Sequence, residues 1–457
     1  MWTRGLRLSL LSCFFCLLFF ISGTVLSACS EPAGGKESSV ETAQELGGTE
    51  KTVDASLPEE EKAPQEQEPV QEKVPEQPKE ASVPKHLPNL KSPVSFDAGK
   101  DTIRVQPALA WGKSGNLAVS WTAGEKGSSL GIKVALYDAQ GKVQVEPFRV
   151  DTYKGGLKNE SAICGLSGGG YAVVWSMDTK DGSKTNLQVR FRILGEDGKP
   201  LKNEDTRVLS ERPGNHWLAQ VTCTKDGGFA VTGVRPDVNQ KTFDIFVWRY
   251  NSKGEPQGKA IAAHDAPERS EGFPVIGAHD NNDLVVAWNE STQQTKRVML
   301  RHFPQGGGAG KELVGFENPA ESVAIATHGP SSHFTLAAFV GGRELQLKSY
   351  DNPGATGEKI QFSQPLTPLA VNPKLTYMGA EKNLAMIYFA RTSASVILAK
   401  AVTFSTDGKV LGEFQLASGR LPFSYKPAIS FRDSKLAVAW TERGASNTFV
   451  VKVSIFR

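Results

Sequence analysis

The sequence predicts an all-β repeat fold over residues 93–457. Three observations predict it: one short apolar strand recurs along the chain, the segments between alternate apolar and polar residues with period two, and glycine-bearing turns separate them. The recurring strand reads Leu117-Ala118-Val119-Ser120-Trp121, Tyr171-Ala172-Val173-Val174-Trp175, Phe229-Ala230-Val231-Thr232-Gly233 and Leu284-Val285-Val286-Ala287-Trp288. It continues as Thr335-Leu336-Ala337-Ala338-Phe339, Leu384-Ala385-Met386-Ile387-Tyr388 and Leu436-Ala437-Val438-Ala439-Trp440. The last residues of these strands lie 54, 58, 55, 51, 49 and 52 positions apart. Self-similarity at such a period marks a propeller or a solenoid.

Each unit has the same internal order. Ahead of the anchor strand comes a first strand often opened by proline (Pro107, Pro274, Pro373, Pro427), then a tight turn such as Lys225-Asp226-Gly227-Gly228 or Asp280-Asn281-Asn282-Asp283. After the anchor strand and a polar loop, a third strand ends in an aromatic residue, as in Ile132 to Tyr137, Ile245 to Tyr250 and Val298 to Phe303. A glycine turn (138–141, 196–198, 251–254, 351–354, 406–408) leads to a short fourth strand. This is an antiparallel meander joined by hairpins, and four strands in each of seven units is the arithmetic of a seven-bladed β-propeller. The sequence ends at Phe456-Arg457 on a third strand, whereas Val94-Ser95-Phe96 precedes the first unit with nothing else to pair with. The N-terminal strand is therefore expected to complete the last blade.

Two further segments precede the repeats. Residues 1–28 run from Arg4 and Arg7 through an apolar stretch, Leu8 to Ile21, into small residues, the order of a secretory signal. They end in Leu26-Ser27-Ala28-Cys29, which resembles the lipobox of bacterial lipoproteins. The resemblance implies diacylglyceryl transfer to the Cys29 sulfur, cleavage before it, and a membrane-anchored, exported domain. Ser30 after the cysteine is similar to the outer-membrane default of hosts with two membranes. The alternative is an uncleaved transmembrane anchor, since Leu8 to Ala28 is long enough to span a bilayer. Residues 29–92 form the next segment. From 30 to 92 there are 8 prolines, 7 lysines against 14 acidic residues and no aromatic side chain, a composition unable to bury enough apolar surface to offset its ordering entropy. A solvated tether is expected, with a root-mean-square span of about 45 Å.

Charge excludes one class of function. Lys and Arg number 52 against 49 Asp and Glu, too balanced for nucleic-acid binding through counterion release. Of the five cysteines, only Cys164 and Cys223 fall in the repeats. They read as two buried thiols, with a disulfide as the alternative in an oxidising compartment.

The text Asp226-Gly227-Gly228-Phe229-Ala230-Val231 with Arg249-Tyr250 resembles propeller-like repeats of large secreted bacterial proteins, which implies fold rather than activity. Sialidase Asp-boxes, WD dipeptides and quinone-binding tryptophan repeats are absent; Ser405-Thr406-Asp407-Gly408 lacks the tryptophan an Asp-box needs. Gln305 to Glu312 fails as a phosphate loop, having Gln305 and Glu312 where Gly and Ser or Thr are required. His264-Asp265 and His279-Asp280 lie a strand apart and, with His328, read as surface histidines, so no metal or cofactor is expected. Trp121, Trp175, Trp288 and Trp440 recur at one strand position and read as packing between units. Trp217, beside His216, is either a ligand-facing aromatic at the channel mouth or a packing residue.

The loops after the anchor strands gather Arg235, Arg343, Arg391 and Arg443, with Arg212 and Arg269 in the connections and Glu290 and Glu442 as partial offsets. Arg235, Arg391 and Arg443 with Trp217 are the candidate ligand-binding residues, for an anionic partner. Function is expected to be that of a membrane-anchored binding or scaffold propeller for a protein or acidic polysaccharide partner, with the domain itself monomeric. The alternatives are an envelope-assembly factor and a propeller-type glycoside hydrolase or lyase. A glycosidase needs two carboxylates at the channel mouth, and Glu160, Glu271 and Glu321 at the unit openings are the candidates.

Overall fold

The computed structural model describes residues 93–457 apart from 125–129, 154–155, 157, 180–186, 209–215, 237–241, 266–269, 293–294, 318–319, 329–332, 341–343, 352–357, 366–369, 393–395, 420, 423 and 445–447. Signal, lipobox, Cys29 and tether all lie outside the described residues, as do Arg212, Arg269 and Arg343.

The described chain is all strand and turn. Five sheets have four consecutive strands each, and every pair within them is antiparallel. An eight-stranded sheet holds the rest. It joins the first unit (Ile103–Trp111, Leu117–Gly124, Gly131–Tyr137, Val143–Arg149) to the last (Ala428–Arg432, Lys435–Arg443, Phe449–Phe456) through one parallel pair, Ile103 with Phe449. The N-terminal strand Val94–Ala98 pairs antiparallel with Phe449–Phe456, from Val94 opposite Ile455 to Ala98 opposite Val451.

The core lies between sheets. Each of seven apolar clusters draws its residues from two consecutive units, and one of them combines the last unit with the first, uniting Ala437, Ala439, Val451 and Val453 with Leu117, Val119 and Trp121. Trp121, Trp175, Trp288 and Trp440 each pack against the preceding unit, as expected of inter-unit anchors. A tryptophan carries on the order of 200 Å² out of water, which explains why bulky residues recur there. Unit three has Gly233 instead. A side chain at Gly233 would meet the Trp248 ring, so the third strand supplies the aromatic that the second lacks.

Two expectations are corrected. Cys164 and Cys223 are joined by a disulfide that ties the first strands of units two and three, with Cα atoms 5.6 Å apart. Equivalent positions on adjacent first strands bring the two Cβ atoms within reach, a proximity that spacing alone does not disclose. The histidines are not on the surface. His279 is 3% exposed and His328 8%, and the His264 side chain is buried as well. His279 starts a tight turn, its N–H donating to Asp283 O, while its ring packs edge-on against Phe334 of the next unit. A turn between packed sheets is thus less exposed than its polar sequence suggests.

Candidate functional site

The first strands share one irregularity. In unit one Val105 pairs with Thr122 and Ala108 with Ser120, which leaves Gln106-Pro107 as a two-residue bulge opposite the anchor Trp121. The same shift places Glu160-Ser161 opposite Trp175, Leu218-Ala219 opposite Gly233, Phe273-Pro274 opposite Trp288, Glu321-Ser322 opposite Phe339 and Asn372-Pro373 opposite Tyr388. In unit seven Lys426-Pro427 directly precede the pair Ala428–Ala439 and so occupy the corresponding place beside Trp440.

The backbone at these positions is strained in the same way. Gln106, Glu160, Leu218, Phe273 and Asn372 have φ of 56, 54, 55, 53 and 55°, the left-handed region that β-carbons disfavour by about 1–2 kcal/mol each. Proline at the next position would ordinarily hold its predecessor extended, so three of these five are doubly unusual. Strain of this kind persists where surrounding structure over-determines it, and it gathers at functional sites. Here it is fixed by hydrogen bonds between units. The Gln106 N–H donates to Thr441 Oγ1 (3.3 Å), the Glu160 N–H to Gln106 Oε1 (3.1 Å) and the Asn372 N–H to Ser322 Oγ (3.2 Å).

The side chains from these openings meet across the molecule. Lys426 Nζ of unit seven lies 4.0 Å from Glu160 Oε1 of unit two and 5.5 Å from the Phe273 ring centroid of unit four. One step further along the first strands, Lys374 Nζ of unit six donates to Gln220 Oε1 of unit three at 3.4 Å. Five sheets thus contribute to one cluster. Phe273 is 39% exposed, an apolar ring left open to solvent beside an ammonium group. Burial pushes the Lys374 ammonium down from 10.5 to about 8; Lys426 adds to the effect and Glu160 opposes it.

The expected site residues divide. Glu160 stands in the cluster, and Glu321 holds the equivalent register position in unit five. Glu271 does not join them. Its carboxyl accepts from Trp288 Nε1 (3.0 Å) and the Ile245 N–H (3.2 Å), 3.9 Å from His264, between units three and four. Burial raises it to about 8, against the pull of His264, so it keeps its proton near neutral pH. Two residues before the bulge, Glu271 sits where the strand is still regular and faces the neighbouring sheet.

The arginine trio does not share one environment. Arg391 and Arg443 are exposed, but Arg235 is buried with its guanidinium 3.5 Å from the Phe246 ring centroid. The reason is strand periodicity: Arg235 lies two residues beyond its anchor and the others three, which puts them on opposite faces. Glu442 is engaged by Trp440 Nε1 at 2.7 Å. Trp217 stacks edge-on against Phe243 of its own sheet, with ring centroids 5.2 Å apart, which makes it a packing residue. A separate cleft of about 200 Å³ lies at the opposite end of unit three's strands, lined by Thr224, Asp226, Phe229, Arg249, Gln257 and Gln305. Its arginine is occupied by the carbonyls of Asn282, Phe303 and Pro304.

Reading from sequence missed Gln106, Gln220, Phe273, Asn372, Lys374 and Lys426. A signal for four of them was present: Gln106, Phe273, Asn372 and Lys426 each precede a strand-opening proline.

No family model matches the chain, and no curated protein matches it. Solved structures do. A Dyadobacter fermentans protein of unknown function is 9% identical, over 81% of this chain and 100% of its own, with a TM-score of 0.48. The GH93 α-L-arabinofuranosidase of Fusarium graminearum is 11% identical, over 81% and 98%, at 0.46. The NanB sialidase of Streptococcus pneumoniae is 12% identical, over 78% and 69%, at 0.41. Two of these three are glycan-active enzymes, but similarity this low carries no inference about what this chain acts on.

Proposed function

We propose that residues 93–457 close into a seven-bladed β-propeller whose axial mouth is a glycan site, displayed by a lipoprotein anchored through Cys29. Counting the eight-stranded sheet as two blades gives seven. Closure is supported by the pairing of Val94–Ala98 with the last strand and by the apolar cluster shared between first and last units. Deleting residues 93–104 is expected to abolish the cooperative melt, because an unpaired edge opens the ring. Deleting 30–85, within the tether, is expected to leave melting unchanged. Equal effects would contradict closure. The lipid anchor predicts that Cys29→Ser releases the protein from membranes, in the outer membrane if the host has two, and an unmodified mature N-terminus by intact mass would contradict it.

The observation that carries the glycan reading is that Lys426 bridges Glu160 and the exposed Phe273, with Gln106 bonded to the Glu160 N–H and the Lys374–Gln220 pair within electrostatic reach of Lys426 and Glu160. Saccharides present closely spaced hydroxyls and an apolar ring face, and this cluster offers amide, carboxylate and ammonium partners beside an open aromatic. Retention of the full chain on immobilised envelope polysaccharide, lost in Phe273→Ala, tests this reading; undiminished retention in the variant would contradict it.

A second reading, glycan hydrolysis, is favoured by one feature: Glu160 and Glu321 hold equivalent bulge positions, three units apart. Paired carboxylates are what glycoside hydrolysis requires. Release of new reducing ends from polysaccharide, abolished by both Glu160→Gln and Glu321→Gln, would establish turnover; binding without product would leave a recognition module.

A further inference from the structure

Lys374 poses a problem that the folded chain alone does not solve. It sits one step below the bulges, at a level where the corresponding residues of other units are Ala108, Ala162, Val275, Val323 and Ala428. Its partner is Gln220, a neutral amide, at 3.4 Å. That amide is held in place by its own Nε2, which donates to Ala219 O at 2.8 Å, and this directs Oε1 toward the ammonium. A half-buried ammonium that no carboxylate pairs among the described residues is costly to keep, and the other cation nearby, Lys426, makes it more so. Lys426 itself is only loosely satisfied: Glu160 stands 4.0 Å away, beyond a direct hydrogen bond, and the Lys426 side chain is 34% exposed. Among the described side chains of the cluster, two ammonium groups therefore face one carboxylate. An anion supplied from the open side, where Phe273 forms an apolar wall, would balance them.

We propose that the axial mouth recognises a carboxylated saccharide, its carboxylate held between the ammonium groups of Lys374 and Lys426 and its ring seated on Phe273. This rests on the glycan reading above and specifies its ligand. The two lysines belong to adjacent units and to successive levels of the channel, so the carboxylate enters pointing down the axis. Glu160 at the rim is left for the hydroxyls. Glu160 also repels a second anion, which favours one carboxylate per bound residue over densely charged ligands such as sulfated chains. Ammonium rather than guanidinium at both positions removes the preference for flat, bidentate pairing and leaves the ring orientation to the aromatic wall.

The test is an array carrying acidic saccharides of several backbones, each beside its neutral methyl ester, probed with the full chain. Wild type is expected to favour acids over esters by about tenfold or more, the worth of one charge-assisted hydrogen bond. Lys374→Met and Lys426→Met are each expected to lose that preference, acids and esters then being retained alike. Lys374→Met should melt no lower than wild type, since it replaces a half-buried charge by an apolar chain of similar volume; if it does not fold, Lys426→Met decides. Equal retention of acids and esters would overturn the carboxylate clamp and leave the glycan reading standing. Retention of no saccharide at all would overturn both.

Discussion

The two sides of the innermost ladder in each unit are opposites. On the second strand stand the anchors, Trp121, Trp175, Trp288, Phe339, Tyr388 and Trp440, all aromatic and all buried. Across the ladder are the bulge residues, Gln106, Glu160, Leu218, Phe273, Glu321, Asn372 and, by position, Lys426: two amides, two carboxylic acids, two apolar residues and one amine. The bulge recurs in six units, and there only the demand on the side chain differs. A position that fills space between sheets has one good solution, so it repeats; a bulge position carries no such packing demand, so its residues are free to differ.

That contrast predicts separable losses. The largest belongs to the anchors. Trp175→Ala removes a fully buried ring between units one and two and should lower stability by about 3–5 kcal/mol in chemical denaturation, with binding preserved in the fraction that stays folded. Replacing Cys164 and Cys223 by alanine should cost less, about 2–4 kcal/mol, because it frees a loop in the unfolded chain while sparing the sheets. A loss as large as that of Trp175→Ala would mean that the disulfide, and not inter-sheet packing, holds units two and three together.

The bulge positions should behave in reverse. Phe273→Gly relieves a left-handed residue and removes a ring that is already partly in water, so stability should stay within about 1–2 kcal/mol of wild type. Binding of an acidic saccharide should nevertheless be lost. The smallest effect is one of pH. Lys374 carries its proton below about 8 and is neutral above it, so acid-saccharide binding should hold at neutral pH and weaken as pH rises through about 8. Ester binding should be flat over that range, with Lys426 remaining the other charged amine in the cluster and Glu160 its facing carboxylate. In Lys374→Met the step should vanish.

The same contrast explains what was legible in the sequence. The four-strand order, the anchor tryptophans and the pairing partner of Val94–Ala98 could all be read, because packing imposes periodicity and periodicity survives in a single sequence. The cluster of bulge side chains could not. Lys374 and Gln220 are 154 residues apart, and neither belongs to a repeating pattern, since each is the exception at its level. Glu160 and Glu321 were picked out for lying at unit openings, which is where the bulges fall, whereas Glu271 shared that description and faces another sheet. Arg235, Arg391 and Arg443 show the opposite failure. A similar offset from the anchor looked like equivalence, yet one residue of difference in a strand reverses the side chain. The strand-opening prolines mark the bulges, being their second residue at Pro107, Pro274 and Pro373.

Hydrogen exchange of the full chain with and without an acidic saccharide, read by mass spectrometry, addresses the central claim most directly. An axial site predicts added protection in peptides spanning 104–109, 158–163, 216–221, 271–276 and 370–375, which are distant in sequence and belong to five separate units. Protection confined to the segments around Arg391 and Arg443, or to the outer strands, with the bulge peptides unchanged, would contradict it.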